Sequence, residues 1–147
     1  MFKKIMDGAG IKFWLGYGSC LGAYRDGELI DTDHDIDIEI FDSSIQEVEK
    51  VLFYPYNSRS GKPDQFTFII EGYKFDVCFW QKVGDEYHLR IRGGKPDKIP
   101  AKFGELTTIE FYGEEFLIPK LTEEYLEYYY EKDWNIKNPN KKAITRR

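Results

Sequence analysis

Cysteine is scarce in this chain. Cys20 and Cys78 are the only two, so at most one disulfide bridge could form and a disulfide scaffold is excluded. No apolar run reaches membrane-spanning length and no leader-like segment opens the sequence, so the expectation is a reduced, cytoplasmic protein with no membrane span. Positive charge is also short. A formal net charge of −5 over 147 residues argues against a nucleic-acid partner. The basic residues that close the chain, Lys141, Lys142, Arg146 and Arg147, are expected to be solvated and frayed. Internal repeats, linkers and low-complexity blocks are absent. The length fits a single domain, residues 1–147, that buries about 70% of its extended surface and needs no staple. Aromatic residues are plentiful instead: eleven Tyr and eleven Phe lift the aromatic share to 17%, which suits a compact, sheet-rich core.

Patterning predicts a short helix broken by Gly8 and Gly10, then a strand over Phe13 to Leu15 that ends at a Gly18-Ser19 turn. Ser19 is expected to cap a helix from about Cys20 to Asp26. An acidic strand follows, then a helix capped by Ser43 or Ser44 and running to about Phe53, with Ile45, Val48, Val51 and Leu52 at helical spacing. YPYNSRSGKPD reads as a loop. Gln65 to Ile70 and Tyr73 to Trp80 flank Glu71-Gly72 as a hairpin, with Asp76, Cys78 and Trp80 on one face of its second strand. Glu86 to Arg92 repeats the alternation, and GGKPDKIPAKFG reads as a further loop. A last hairpin turns at Gly113. The helix after it, from about Thr122 to Lys132, carries an aromatic stripe of Leu121, Tyr125, Tyr128 and Tyr129 suited to core packing.

The most informative stretch is Trp14 to Phe41, WLGYGSCLGAYRDGELIDTDHDIDIEIF. Asp35, Asp37 and Glu39 alternate with Ile36, Ile38 and Ile40, so a strand here has one face of isoleucine and one of carboxylate. Aspartate is disfavoured in strands, and a local rule broken on an otherwise well-made strand points to function. Two carboxylates about 5 Å apart repel by roughly 3 kcal/mol at an effective dielectric of about 20, so a cluster of them calls for open water or a cation. Gly18 lets the backbone approach a ligand closely, and the helix after Ser19 offers N–H groups to an anion. Asp31, Asp33 and Asp35 at alternate positions also invite an EF-hand reading, but Ile36 stands where glycine is needed and Asp42 where glutamate is, so that reading is rejected. A D-x-D glycosyltransferase site fits the Asp pair alone and is disfavoured by the Gly-Ser element beside it. His34 points away from Asp33 and Asp35, and His88 stays unassigned. Glu39 either extends the acidic face or is solvent-exposed.

GSCLGAYRDGELIDTDHDIDI resembles the signature of the LicD/fukutin-related family, a branch of the nucleotidyltransferase-fold superfamily: G-[ST]-x-L-G-x-x-R followed by an acidic D-x-D-h-D-h run, where h is apolar. The matching residues are Gly18, Ser19, Leu21, Gly22, Arg25, Asp33, Asp35 and Asp37. The similarity extends through FYGEEFLIP and EYLEYYYEKDW, where a closing Tyr-Gly-Asp pattern of the family stands as Tyr130-Glu131-Lys132-Asp133. The resemblance implies an α+β fold, a small mixed sheet with helices packed mainly on one side. It also implies a third carboxylate on a neighbouring strand, for which Asp76 in YKFDVCFW is the candidate.

The chemistry implied is metal-dependent. Asp35, Asp37 and Asp76 would hold Mg²⁺ or Mn²⁺ in a two-metal arrangement, with Asp33 bonding to a metal-bound water and Asp76 also a candidate base. The Gly18-Ser19 amides and Arg25 would grip phosphate oxygens. Arg90, Arg92, Lys95, Lys98 and Lys102 are weaker candidates for that task. The implied reaction moves a phospho-alcohol, phosphocholine or a polyol phosphate, from a CDP-linked donor to a hydroxyl of a glycan acceptor, and CMP leaves. An NTP-using nucleotidyltransferase and a non-catalytic nucleotide-binding module or subunit are the alternatives.

Overall fold

The computed structural model describes residues 1–53, 65–90 and 97–144. The loop expected over 54–64, and the side chains of Arg90, Arg92, Lys95, Arg146 and Arg147, lie outside the described residues. Helix α1 (Phe2–Gly8) leads to the short strand β1 (Trp14–Leu15) and helix α2 (Tyr17–Leu21), which a π-helical turn continues over Gly22–Asp26. Strand β2 (Ile36–Phe41), helix α3 (Ile45–Val48), and the strands β3 (Gln65–Ile70), β4 (Tyr73–Val83), β5 (Glu86–Arg90) and β6 (Asp97–Ile99) follow. The hairpin β7 (Leu106–Phe111) and β8 (Glu114–Pro119) then precedes helix α4 (Thr122–Tyr130).

Strand β4 is the axis of the main sheet. One of its edges pairs with β2 in parallel, and the other pairs antiparallel with β3 along its first half and with β5 along its second. Strands β1 and β6 extend the sheet beyond β2 and β5, and β7–β8 form a separate ribbon. This mixed sheet among helices is the α+β architecture expected. The β2–β4 register sets Ile36 beside Phe75, Asp37 beside Asp76, Ile38 beside Val77 and Glu39 beside Cys78. The two strands therefore share an apolar face and a polar one. Phe2 of α1 stacks on Phe75 at 4.5 Å on the apolar face, while α2 and α4 meet the polar face through the contacts described below.

Strand β6 corrects one expectation, because it lies inside a stretch read as loop. Ile99 pairs with Tyr87 and Asp97 with Leu89, and both Asp97 and Ile99 are buried. Three residues among Gly, Lys and Pro are too few for an alternation signal, and tertiary pairing decides the outcome.

Glu39 corrects another. It is fully buried, and its carboxylate is a three-way junction. Oε2 accepts the indole N–H groups of Trp14 (2.7 Å) and Trp80 (2.9 Å), and Oε1 accepts the hydroxyl of Tyr125 (2.9 Å). The Tyr125 oxygen in turn accepts the backbone N–H of Tyr17 (2.9 Å). Strands β1, β2 and β4 and helices α2 and α4 are thus joined through one side chain. Trp14 and Trp80 pack edge to face beside it with ring centroids 5.2 Å apart. Burial pushes the Glu39 carboxyl up while the Tyr125, Trp14 and Trp80 donors pull it back, leaving it at about 7.

In helix α4 Tyr125 and Tyr129 of the expected stripe are fully buried, and Leu126 and Tyr130 join them, so the buried face is wider than the stripe. Glu131 follows with φ 66° and ψ −177°, a conformation almost restricted to glycine and costing about 1–3 kcal/mol in other residues. The chain then folds back along α4: the Ile144 N–H donates to the Tyr129 carbonyl (2.8 Å), and Lys141 pairs with Glu131 and Asp133. The described part of the basic tail, including Lys141, is therefore docked and not frayed.

Two expected outcomes follow from these features. Glu39→Gln keeps an acceptor for both indoles and removes the titration, so it should match the wild type near pH 4.5. The raised folded value means that wild-type stability is lost as pH rises through about 7, and the variant should then lead by an amount of order 3 kcal/mol. Urea unfolding of both proteins across that range checks this. Glu131→Gly should stabilise the fold by about 1 kcal/mol through relief of strain, read from the unfolding midpoint.

Candidate functional site

Helix α2 begins earlier than its sequence suggests. Gly16, not Ser19, stands before its first residue, and Ser19 lies within the helix with its hydroxyl accepting the backbone N–H of Asp37 (2.8 Å). Ser19 thus ties α2 to β2, and Gly16 adds a second tie by donating its N–H to the Asp37 carbonyl (3.0 Å). The two elements lie so close that side chains are excluded between them. A Cβ at Gly16 would run into the Glu39 carboxylate, and one at Gly18 would run into that of Asp33 and lie 3.7 Å from Asp37 Oδ2. Tyr17 between them takes a positive φ of 38°, a strained backbone of the kind found at functional sites.

The acidic residues gather where β2 begins. Asp33, Asp35 and Asp37 each bring one carboxylate oxygen within 4.8 Å of the others. Asp76 is next to Asp37 across the β2–β4 register, but both its oxygens have donors: Oδ1 accepts the Thr67 hydroxyl (2.7 Å) and Oδ2 the Lys74 ammonium (3.3 Å). Lys74 also reaches Asp35 Oδ2 at 3.0 Å. Burial, and then the negative charges of Asp35, Asp33, Asp76 and Glu39, drive the Asp37 carboxyl well above the usual range. Asp33 is raised by burial and by Asp35. Asp35 moves the other way: burial would raise it, but Lys74 outweighs that and holds it low. The three converging oxygens are hard donors of the kind a small divalent cation takes.

A cavity of about 420 Å³ opens beside this cluster, with Gly18, Asp33 and Asp37 on one side and Arg25, Tyr130 and Trp134 on another. Lys137, Lys141 and Lys142 also line it. Arg25 lines the cavity, with its fork engaged by the Asp26 carboxylate (2.8 Å twice) and by the Trp134 carbonyl (3.3 Å). Lys98 and Lys102 pair with Glu86 and Glu124 and do not line the cavity. His34 is exposed, and His88 contacts Glu86. Cys20 and Cys78 are free and buried, and burial pushes both thiols up, which makes them poor nucleophiles. The C-terminal wall and the roles of Lys74 and Thr67 carry no local signal in the sequence, except that Lys74 and Asp76, two apart on β4, share one strand face.

This mixed sheet, with carboxylates on two adjacent parallel strands, has the fold of solved nucleotidyltransferases. The lincomycin-bound lincosamide antibiotic adenylyltransferase LnuA matches with a TM-score of 0.54 at 14% identity, over 81% of this chain and 76% of that one. A putative nucleotidyltransferase from Thermotoga maritima matches at 0.52 and 18% identity, over 86% and 80%. More specifically, the sequence model of the LicD/FKTN/FKRP nucleotidyltransferase domain matches residues 10–98, and the chain belongs to that family. The ribitol-5-phosphate transferase FKTN of Homo sapiens is 30% identical over 90% of this chain and 31% of its own length. The ribitol 5-phosphate transferase FKRP of Mus musculus is 36% identical over 32% of the chain and 10% of its own length. The chain thus spans under a third of the length of these curated relatives.

The crowding of carboxylates predicts that Asp37→Asn raises metal-free stability at neutral pH by about 1–3 kcal/mol, the scale of one relieved buried repulsion. Added Mn²⁺ should stabilise the wild type and not the variant. Thermal melts of the two proteins with and without the ion check both statements.

Proposed function

We propose that this domain is the catalytic core of a metal-dependent phosphotransferase that moves a phospho-alcohol, with ribitol 5-phosphate the first to test, from a CDP-linked donor to a glycan hydroxyl. The observation that carries this reading is the convergence of Asp33, Asp35 and Asp37 beside a cavity, in a member of the LicD/FKTN/FKRP family. The names of the relatives supply the phospho-alcohol.

Asp33, Asp35 and Asp37 would hold Mg²⁺ or Mn²⁺, which when bound neutralises charge on a diphosphate and polarises a phosphoryl oxygen. Gly18, lacking a side chain, lets the Asp33 carboxylate close on the first turn of α2, and the Gly18 and Ser19 N–H groups of that turn would be the donors to a phosphate oxygen. Arg25, fixed by Asp26, adds positive charge to the same wall. Tyr130 and Trp134 add aromatic rings to the lining of the cavity. In the transfer the acceptor oxygen bonds to the phosphorus that bears the alcohol, the bond from that phosphorus to the CMP oxygen breaks, and CMP departs with the bonding pair. The hydroxyl proton passes to a carboxylate, for which Asp76 is the candidate because Thr67 and Lys74 hold it beside Asp37. Among the described residues no helix is long and apolar enough to cross a membrane. The two free, buried cysteines support a reducing, cytoplasmic setting.

Melting the protein with Mn²⁺ and a panel of CDP-ribitol, CDP-glycerol, CDP-choline, CTP and ATP tests the reading. At about 100 times its dissociation constant the true donor should add roughly 2.7 kcal/mol, with one CDP-alcohol leading and the shift lost in Asp37→Ala. A shift with NTPs alone would replace this reading with nucleotidyl transfer. No nucleotide-dependent shift at all would point to a non-catalytic role.

A further inference from the structure

In the reaction just described Lys74 only holds Asp76, yet its ammonium also reaches the metal-side carboxylate of Asp35. Lys74 lies two residues before Asp76, so both side chains share one face of β4. Extending the β2–β4 register one step beyond the Ile36–Phe75 pair sets Lys74 beside Asp35. Its ammonium therefore lies between the two acidic strands, 3.0 Å from Asp35 Oδ2 and 3.3 Å from Asp76 Oδ2. With the Thr67 hydroxyl on the other oxygen at 2.7 Å, Asp76 is supplied with donors on both sides. The carboxylates that converge without it are Asp33, Asp35 and Asp37.

In a two-metal phosphotransferase a second ion balances the charge of the attacking or leaving oxygen and needs carboxylate oxygens open to hold it. Here the space between Asp35 and Asp76 holds a cation that belongs to the chain. An ammonium at hydrogen-bond distance and a divalent ion at about 2.1 Å from the same oxygens cannot occupy that space together. We propose that Lys74 is a built-in cation of the site, a positioning residue that takes the place of a second metal between Asp35 and Asp76, so that the domain binds one divalent ion where the sequence implies two. The assignment rests on the metal-dependent reading above and refines it. It also gives Asp76 a fixed orientation, since the ammonium of Lys74 on its own strand and the Thr67 hydroxyl of β3 each hold one of its oxygens.

The test is a titration of the full chain with Mn²⁺ alone, free ion being read from its paramagnetic resonance signal, for the wild type, Lys74→Met and Lys74→Arg. The expected result is one Mn²⁺ per chain in the wild type and in Lys74→Arg, which keeps the charge, and two in Lys74→Met, which keeps the stem and vacates the space. A merely structural lysine would not move this count. Two ions in the wild type, or one in Lys74→Met, would overturn the proposal and leave the metal-dependent reading intact. No bound Mn²⁺ in the wild type would instead remove that reading, and the role of Lys74 with it. The wild-type count does not depend on either variant folding.

Discussion

Glu39 is an ionisable group buried out of reach of bulk solvent, and the positions of five elements depend on how its two oxygens are satisfied. A buried carboxylate is tolerated only with donors on it. The donors here come from β1, β4 and α4 as Trp14, Trp80 and Tyr125. Because the Tyr125 oxygen also receives the N–H of Tyr17, the constraint reaches the first residue of α2. That residue fixes how Gly18 meets Asp33 and Asp37. The geometry of the acidic site is thus set from below, by a carboxylate two residues further along the same strand that takes no part in the chemistry.

The site above it is built at the expense of stability. Asp37 is buried among four other carboxylates, Tyr17 and Glu131 carry unfavourable backbone angles, and Lys74 pairs only with Asp35 and Asp76. Strain gathered in this way around one cavity, in a core otherwise closed by aromatic packing, is the usual signature of a place shaped for binding and reaction. The surrounding sheet tolerates it because Phe75, Val77, Ile38 and Ile40 are buried on its other face.

The acidic strand, the two hairpins and the final helix were legible because alternation and helical spacing are local signals. Asp35 and Asp37 could be picked out for the same reason. The fate of Glu39 was not legible: alternation assigns it a face, while the cover over that face comes from Tyr125, distant in sequence. Ser19 has the chemistry of a helix cap, yet the preceding glycine lets the helix start sooner and frees the hydroxyl for Asp37. Strand β6 is too short to show a period. The docked tail depends on the turn at Glu131, a residue whose type gives no hint of a glycine-like backbone. Lys74 lay in plain view beside Asp76, but its meaning requires the parallel register with β2.

The walls of the cavity come from opposite ends of the described chain, residues 17–37 and 130–143. During synthesis, at about 5–20 residues per second, the acidic strand leaves the ribosome roughly 5–20 s before the segment that faces it. Through that interval Glu39 lacks Tyr125, α2 lacks its anchor on α4, and the carboxylates stand in open water. Assembly of the site therefore waits on that second wall, and a nascent chain halted ahead of Tyr125 carries every acidic residue of the centre without yet having a binding pocket.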